Sequence, residues 1–217
     1  MITVFGEGRG FRVVWLLEEM VLPYRLRPVD LLAGVENDPD YLAINPAGFI
    51  PAIQEGDVTI VESIAIMEYL MARHGPTPLA PDPHDATFPA YQQFLHLGEA
   101  GLAASMYFYV VSRNLAPEGE KDNWGARKAL EVFESRLGLV TRQLARSPYL
   151  AGERFTAADI SVTLRPCLCS QIGRLRPGRG GAGLRRPHHL TRRLPTGHGD
   201  MPRHKGMGGE GGRPVIA

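Results

Sequence analysis

The sequence predicts an α/β domain, then an all-helical domain, then a basic segment of different composition. In residues 1–75, short β-branched runs alternate with helical patterns of apolar residues. Residues 75–85 hold four prolines, which excludes a helix there, and longer helical patterns follow them. We therefore assign the α/β domain, a linker, the helical domain and a tail to residues 1–75, 76–86, 87–163 and 164–217.

The first domain is expected to have the element order β-α-β-α-β-β-α. Its predicted strands are residues 2–5, 24–29, 52–54 and 58–61, and the last two form a hairpin about a Glu-Gly-Asp turn. Its predicted helices are residues 11–21, 38–44 and 63–73. In the first helix, Arg12, Glu18 and Glu19 are expected to lie towards solvent. The face expected to be buried consists of Val13, Leu17, Met20 and Val21.

The second domain begins with two long helical patterns, at residues 88–111 and 123–146. Another helix is expected to begin after Thr156, a residue that suits the N-cap position. Asp159 follows three residues later, which is the spacing of a capping box with Asp in place of Glu.

The composition is that of a soluble globular protein. The 217 residues are 44% hydrophobic and 22% charged, enough for a sizeable core. The amino terminus has no signal-peptide pattern, and the longest nearly apolar run, residues 101–111, is shorter than the roughly 18 residues of a membrane span. We therefore expect a cytoplasmic protein. The two cysteines, Cys167 and Cys169, lie late and close together, which fits neither a disulfide framework nor a metal site.

The tail, residues 164–217, has a composition of its own. It holds 11 of the 24 Lys and Arg but 2 of the 23 Asp and Glu, so it carries +9 and residues 1–163 carry −8. One interpretation is a disordered basic arm that binds nucleic acid or an anionic surface. The other is a shifted reading frame, which turns a GC-rich coding region into Arg, Gly and Pro. The abrupt change inside a helix that has just been capped favours the shifted frame.

The stretch NPAGFIPAI, residues 45–53, contains the first candidate binding residues. Pro51 lacks an N–H and holds Ile50 extended where a strand is about to begin. A cis Ile50–Pro51 bond would leave the Ile50 N–H and C=O free to pair with an extended peptide. The alternative is a trans proline that opens an ordinary strand.

Glu62 and Ser63 stand where the last predicted strand of the first domain passes into its last helix. A helix N-terminus has unpaired N–H groups and a partial positive charge, so it can bind a carboxylate, with the Ser63 hydroxyl as a further donor. Glu62 could bind an ammonium group beside it. A peptide on Ile50 whose free carboxylate and amine reach Ser63 and Glu62 describes a γ-glutamyl tripeptide. The alternative is that Ser63 is only an N-cap.

NPAGFIPAI, the Glu62–Ser63 pair and FTAADIS at residues 155–161 resemble the glutathione transferase family over residues 1 to about 163. The resemblance implies a thioredoxin-like domain that binds glutathione and a helical domain that shapes the electrophile site. It implies attack of the glutathione thiolate on a small electrophile in detoxification, by a homodimer that needs no metal. It also implies a structural role for Thr156 and Asp159.

The sequence offers more than one candidate for the group that stabilises the thiolate. Family members commonly have Tyr, Ser or Cys near the loop between the first strand and helix, whereas residues 6–10 here read GEGRG. The candidates are the Arg9 guanidinium and the N–H groups at the helix start, which could lower the thiol pKa. Tyr107 or Tyr109 could also reach in from the helical domain. A solvated Arg9 and packed tyrosines are the alternatives. The missing loop hydroxyl and the abnormal C-terminus favour the main alternative function, a non-catalytic binding or interaction module of the same fold.

A dinucleotide-binding site is the rival motif, because GEGRG follows a strand and precedes a helix. That site needs a small residue where the helix approaches the strand, and Phe11 stands there. NPAGFIPAI would have no role in such a fold.

Overall fold

The computed structural model describes residues 1–6, 10–31 and 34–163, and it confirms the predicted fold class over this part of the chain. A four-stranded sheet with its helices is followed by a helical half, while the tail and both cysteines lie outside the described residues. The strands are β1 Ile2–Phe5, β2 Tyr24–Arg27, β3 Ala52–Glu55 and β4 Val58–Val61. The helices are α1 Phe11–Glu19, α2 Pro39–Ile44, α3 Ser63–His74, α4 Phe88–His96, α5 Ala104–Asn114, α6 Trp124–Leu144 and α7 Ala157–Val162.

The sheet has the strand order β2-β1-β3-β4, with β1 parallel to β2 and β3 antiparallel to both of its neighbours. Side chains alternate between the two faces of a strand, so paired residues share a face. The Val4–Ile53 pair belongs to the core formed with α1 and α3, whereas the Phe5–Ala52 pair packs against Tyr41 of α2. Helices α1 and α3 therefore cover one face of the sheet, and α2 covers the other.

Helix α1 is buried on almost every side. Residues 13–17 are all buried in a core that continues into the helical half, where α1 also contacts α7. The prediction that Arg12 faces solvent is wrong, since Arg12 is 5% exposed. Val21 was expected in the buried face but is 77% exposed, because the helix ends at Glu19 and Val21 takes a positive φ of 55°.

The helix expected at residues 88–111 is divided by a π-helical segment, Leu97–Ala103, between α4 and α5. Helix α7 packs closely here, because a Cβ on Gly98 would lie 2.2 Å from the Ser161 Oγ. The Ser161 hydroxyl donates to the Leu95 carbonyl at 2.6 Å. A glycine and a buried serine thus allow α7 to approach the widened turn.

Helix α7 begins with the capping box formed by Thr156 and Asp159. The Asp159 carboxylate accepts the N–H of Thr156 and, through its other oxygen, the N–H of Leu150, both at 2.9 Å. One carboxylate therefore fixes both the start of α7 and the loop before it.

One described helical run, Phe88–Asn114, has the length and mean hydropathy of a membrane span, although the core helix of a soluble protein passes the same test.

Candidate functional site

One edge of the sheet brings the predicted binding residues together. Phe5 pairs with Ala52, and Ala52 pairs with Val61, so these three residues form one row across β1, β3 and β4. The residues just outside this row are Gly6, Pro51 and Glu62. Because β1 and β4 end here and β3 begins here, all three lie at the same edge.

The loop at residues 45–51 packs against the loop that follows β1. The Ile50–Pro51 bond is cis, the isomer that the sequence left open. The Ile50 side chain is 7% exposed and fills the space beside Gly6, where a Cβ would lie 2.5 Å from the Ile50 Cγ2. Gly6 also has a φ of +89°, which favours glycine. Within the described residues, no backbone hydrogen bond uses the N–H or C=O of Ile50.

Glu62 and Ser63 form the start of α3. Glu62 holds the N-cap position and Ser63 is the first residue of the helix, so the alternative that Ser63 is only an N-cap is wrong. The Ser63 side chain is buried at 3% exposure, and its hydroxyl has no partner among the residues that the structure describes. Glu62 is exposed, and its carboxylate likewise has no described partner.

The backbone at Glu62 is strained. Its φ of 72° and ψ of 115° are rare for any residue other than glycine. Such conformations cost roughly 1–3 kcal/mol and are concentrated at functional sites. Here the strain turns the chain from β4 directly into α3, which leaves the first turn of α3 at the sheet edge.

Two helix N-termini give this edge a positive potential. The N–H of Ile66 donates to Glu62 and that of Val14 donates to Gly10, so the preceding N–H groups in each helix lack intrahelical acceptors. A Cβ on Gly10 would lie 3.7 Å from the Pro51 Cβ, which places the start of α1 beside the cis proline. The edge therefore suits an anionic ligand. Arg9 lies outside the described residues.

The two tyrosines named from the sequence have different surroundings. Tyr109 is 6% exposed and belongs to the core of the helical half. Tyr107 is 52% exposed, and its ring lies edge-on to that of Phe108 with centroids 5.7 Å apart. Residues two apart on a helix point in different directions, so only Tyr107 presents its ring at the surface.

A buried ion pair joins α1 to the helical half. The Arg12 guanidinium donates to the Glu99 carboxylate and, at 3.0 Å, to the carbonyl of Gly98. Both acceptors lie in the π-helical segment, 86 and 87 residues further along the chain. The pair fixes the first turn of α1, and with it one of the two N-termini at the sheet edge.

Two cavities of the described residues lie away from the sheet edge, and one of them, of about 410 Å³, is lined by residues at the end of α5 and between α5 and α6. The other cavity, of about 450 Å³, lies between the linker and the loop before α7, and its walls include Asp85 and Arg154. None of its lining residues belongs to the sheet edge. No group of three His, Cys, Asp or Glu side chains in residues 1–6, 10–31 and 34–163 could bind a metal.

Known proteins are similar in sequence to this chain over most of its length. Residues 2–72 match the family described as glutathione S-transferase, N-terminal domain. A glutathione S-transferase 3 of Zea mays is 34% identical over 186 residues, which cover 82% of this chain and 79% of the relative. The chain belongs to the glutathione S-transferase family.

Two further comparisons agree with this glutathione S-transferase assignment. A glutathione S-transferase 3 of Schizosaccharomyces pombe is 31% identical over 70% of this chain and 67% of the relative. A crystal structure of the theta class glutathione S-transferase from Xanthomonas axonopodis pv. citri with glutathione bound has a TM-score of 0.63. It is 26% identical, and the match covers 82% of this chain and 93% of that one.

The supporting role of three residues at the sheet edge of this glutathione S-transferase was not predicted from the sequence: Arg12, Tyr41 and Asn45. The run VVWLL after Arg12 is apolar on every side, and a helix of that kind is buried on every side. This signal could have placed Arg12 in a buried interface. Asn45 precedes a proline, where its side chain commonly accepts an N–H two residues on, as it does from Ala47 at 3.2 Å. No pattern in the sequence points to Tyr41.

Proposed function

We propose that this chain catalyses attack of the glutathione thiolate on a small electrophile. The observation that supports this most is the sheet edge, where the first turn of α3 begins and where the Ile50 backbone and the Ser63 hydroxyl have no partner among the described residues. The family of the chain, and the glutathione bound in a related structure, support the same ligand.

The site accounts for the peptide backbone of glutathione and for both charged groups of its γ-glutamyl end. The Ile50 N–H and C=O pair with the peptide backbone as a strand would. The N–H groups at the start of α3 and the Ser63 hydroxyl bind the γ-glutamyl carboxylate, since that helix end is positive and its donors are free. The Glu62 carboxylate binds the ammonium group on the same carbon.

A binding experiment on the full chain tests this placement. Ser63→Ala removes a hydrogen bond to a charged group, about 1.5–3 kcal/mol, so the Kd for glutathione measured by calorimetry should rise about tenfold or more. Cysteinylglycine lacks the γ-glutamyl group, and its Kd should not change. Ser105→Ala is a matched control, because Ser105 is also buried but bonds the carbonyl of Gly101 in the helical half. Equal losses for both ligands would mean that Ser63 does not contact the γ-glutamyl end.

Ionisation of the thiol is assigned to Arg9 and the start of α1. A cation and free N–H groups favour a thiolate over a thiol, so the bound thiol should titrate below the pKa of about 8.5 of a free thiol. The thiol proton leaves to solvent, and the thiolate forms the new C–S bond as the leaving group departs. Thiolate absorbance of the complex against pH should show a higher pKa for Arg9→Ala and partial recovery for Arg9→Lys. A bound thiol that titrates like free glutathione in the parent would exclude this role.

Turnover of a halonitroarene separates the enzyme from a binding module. Binding of glutathione without turnover would favour the non-catalytic alternative. Between the two tyrosines, Tyr107 is the electrophile-site candidate to test first, because its side chain is exposed whereas Tyr109 is packed in the core. Tyr107→Ala should raise the KM for the halonitroarene and leave that for glutathione unchanged.

The remaining expectations concern the setting of the enzyme. We infer a cytoplasmic homodimer that acts in detoxification, as the family of the chain leads us to expect. Light scattering on the purified chain measures the oligomeric state directly. A monomer at micromolar concentration would contradict the dimer without affecting the assignment of the glutathione site.

A further inference from the structure

Two buried side chains hold the carbonyl of Phe49, the residue that precedes Ile50. The Tyr41 hydroxyl donates to this carbonyl, and the Asn45 side-chain N–H donates to it at 2.7 Å. Tyr41 is fully buried and Asn45 is 3% exposed. Both lone pairs of this carbonyl thus accept a hydrogen bond, and the two donors are side chains from one short stretch of chain.

This carbonyl controls the orientation of the next N–H. The Phe49–Ile50 peptide bond is trans, since the cis bonds of the described residues are at two other positions. In a planar trans peptide, the C=O of one residue and the N–H of the next point in opposite directions. Fixing the Phe49 carbonyl towards Tyr41 and Asn45 therefore fixes the Ile50 N–H away from them. That N–H has no partner within the described part of the chain.

The two donors are held in place by a second set of contacts. The Asp38 carboxylate caps α2 by accepting the N–H of Tyr41 at 2.9 Å. Arg27 at the end of β2 donates two hydrogen bonds to the same carboxylate, of 2.7 and 2.8 Å. The Tyr41 ring packs against Phe5 with centroids 5.8 Å apart. Helix α2 is therefore tied to the strands β1 and β2 on the face opposite α1 and α3.

We propose that Tyr41 and Asn45 are positioning residues for glutathione, which orient the Ile50 N–H so that it can donate to the peptide backbone of the ligand. The inference rests on the proposed function, because it needs glutathione to bind at Ile50. Neither side chain contacts the ligand in this scheme. Both act through the Phe49–Ile50 peptide plane, and a donor that is already oriented loses less entropy when the ligand binds.

A purely structural role for the same residues makes a different prediction. Tyr41 is a core residue, and loss of its hydroxyl could simply destabilise the domain. In that case the thermal midpoint would fall, while the folded fraction would bind glutathione with the Kd of the parent. The two roles are therefore separated by measuring the Kd of folded protein, well below the midpoint of unfolding.

Two conservative variants of the full chain provide the test. Tyr41→Phe removes only the hydroxyl. Asn45→Asp removes the donor and keeps the oxygen that accepts the N–H of Ala47. Since Tyr41→Phe loses one hydrogen bond of ordinary strength, its Kd for glutathione should rise about threefold to tenfold. Asn45→Asp also places a carboxylate oxygen against the Phe49 carbonyl, so its Kd should rise at least as much. The KM for glutathione should rise likewise, with kcat at saturating glutathione unchanged. Tyr69→Phe is the matched control, because its hydroxyl bonds the Glu55 carboxylate at 3.0 Å, at the opposite end of β3.

A second measurement follows the Ile50 N–H itself. Its amide proton signal should shift when glutathione is added to the parent, and it should shift less in Tyr41→Phe. If the parent binds glutathione and both variants bind it with the parent's Kd, Tyr41 and Asn45 are structural and the inference is overturned. If the parent itself does not bind glutathione, the proposed function is overturned and the inference with it. A loss of affinity in both variants, with Tyr69→Phe unchanged, supports the inference.

Discussion

Replacing Arg12 by Met should destabilise the protein strongly, because the substitution removes an ion pair with Glu99 and a hydrogen bond to the Gly98 carbonyl from the contact between α1 and the helical half. The Arg12 side chain is 6% exposed and that of Glu99 is 20% exposed. Breaking a buried ion pair from one side costs about 3–5 kcal/mol, and the partial exposure of Glu99 favours the lower end. A loss of about 3 kcal/mol lowers the thermal midpoint of a chain of this size by about 6–12 °C.

The double variant Arg12→Met, Glu99→Leu distinguishes this reasoning from a simple packing defect. Replacing both partners of a buried pair by apolar groups is often nearly neutral, so the double variant should be more stable than Arg12→Met alone. Thermal and urea unfolding of the full chain give both values. Lys128→Met is the control, because Lys128 pairs with Glu131 at 2.9 Å on the exposed surface, where such pairs contribute about 0–1 kcal/mol. If the double variant loses as much stability as Arg12→Met and Glu99→Leu lose together when made separately, the argument is refuted.

Three further predictions each test a single feature of the fold. Gly6→Ala should lower the thermal midpoint and weaken glutathione binding, because its Cβ overlaps Ile50. Gly56→Ala is the control: Gly56 also has a positive φ, of 59°, but a Cβ there would have nothing within 4 Å, so this variant should affect only stability. Asp159→Ala should cost about 2 kcal/mol or more in urea unfolding, since it leaves two N–H groups without an acceptor. Hydrogen bonds from an arginine and a backbone N–H lower the pKa of Asp38, so its stabilisation is present above the unfolded-state pKa of about 4 and is lost as the pH falls further. Asp38→Asn should therefore lose less stability than the parent between pH 7 and pH 3, and an unchanged difference would contradict the assignment.

The elements that could be predicted from the sequence are those set by local chemistry. The β-branched run at β4, the apolar spacing of α3 and the Thr156–Asp159 spacing depend on residues close together in the chain. The candidate binding residues could also be predicted from the sequence, because a proline before a strand and a polar pair before a helix restrict the backbone on their own. The sequence alone could thus identify Ile50, Pro51, Glu62 and Ser63 as candidates, though not bring them to one edge.

The features that escaped prediction depend on contacts between distant parts of the chain. The apolar run after Arg12 could indicate that Arg12 is buried, but it could not identify the partners of Arg12, which lie 86 and 87 residues away. The π-helical segment has a sequence compatible with an ordinary helix, and its close packing on α7 is a tertiary property. The strained backbone of Glu62 belongs to the same class, because a non-glycine residue with positive φ persists only where surrounding contacts impose it.

The sheet edge is supported from two sides, and the supports have different consequences. On one face, the Arg12 pair ties α1 to the helical half within a continuous core, so disturbing it should affect the stability of the whole chain. On the other face, Tyr41 belongs to a small separate cluster with Phe5, Ile50 and Ala52, and Asn45 donates to the same Phe49 carbonyl as Tyr41. A change there removes little buried apolar surface but acts directly on the peptide plane before Pro51. Because the sheet separates the two supports, we expect Arg12→Met to act mainly on stability and Tyr41→Phe to act mainly on glutathione affinity.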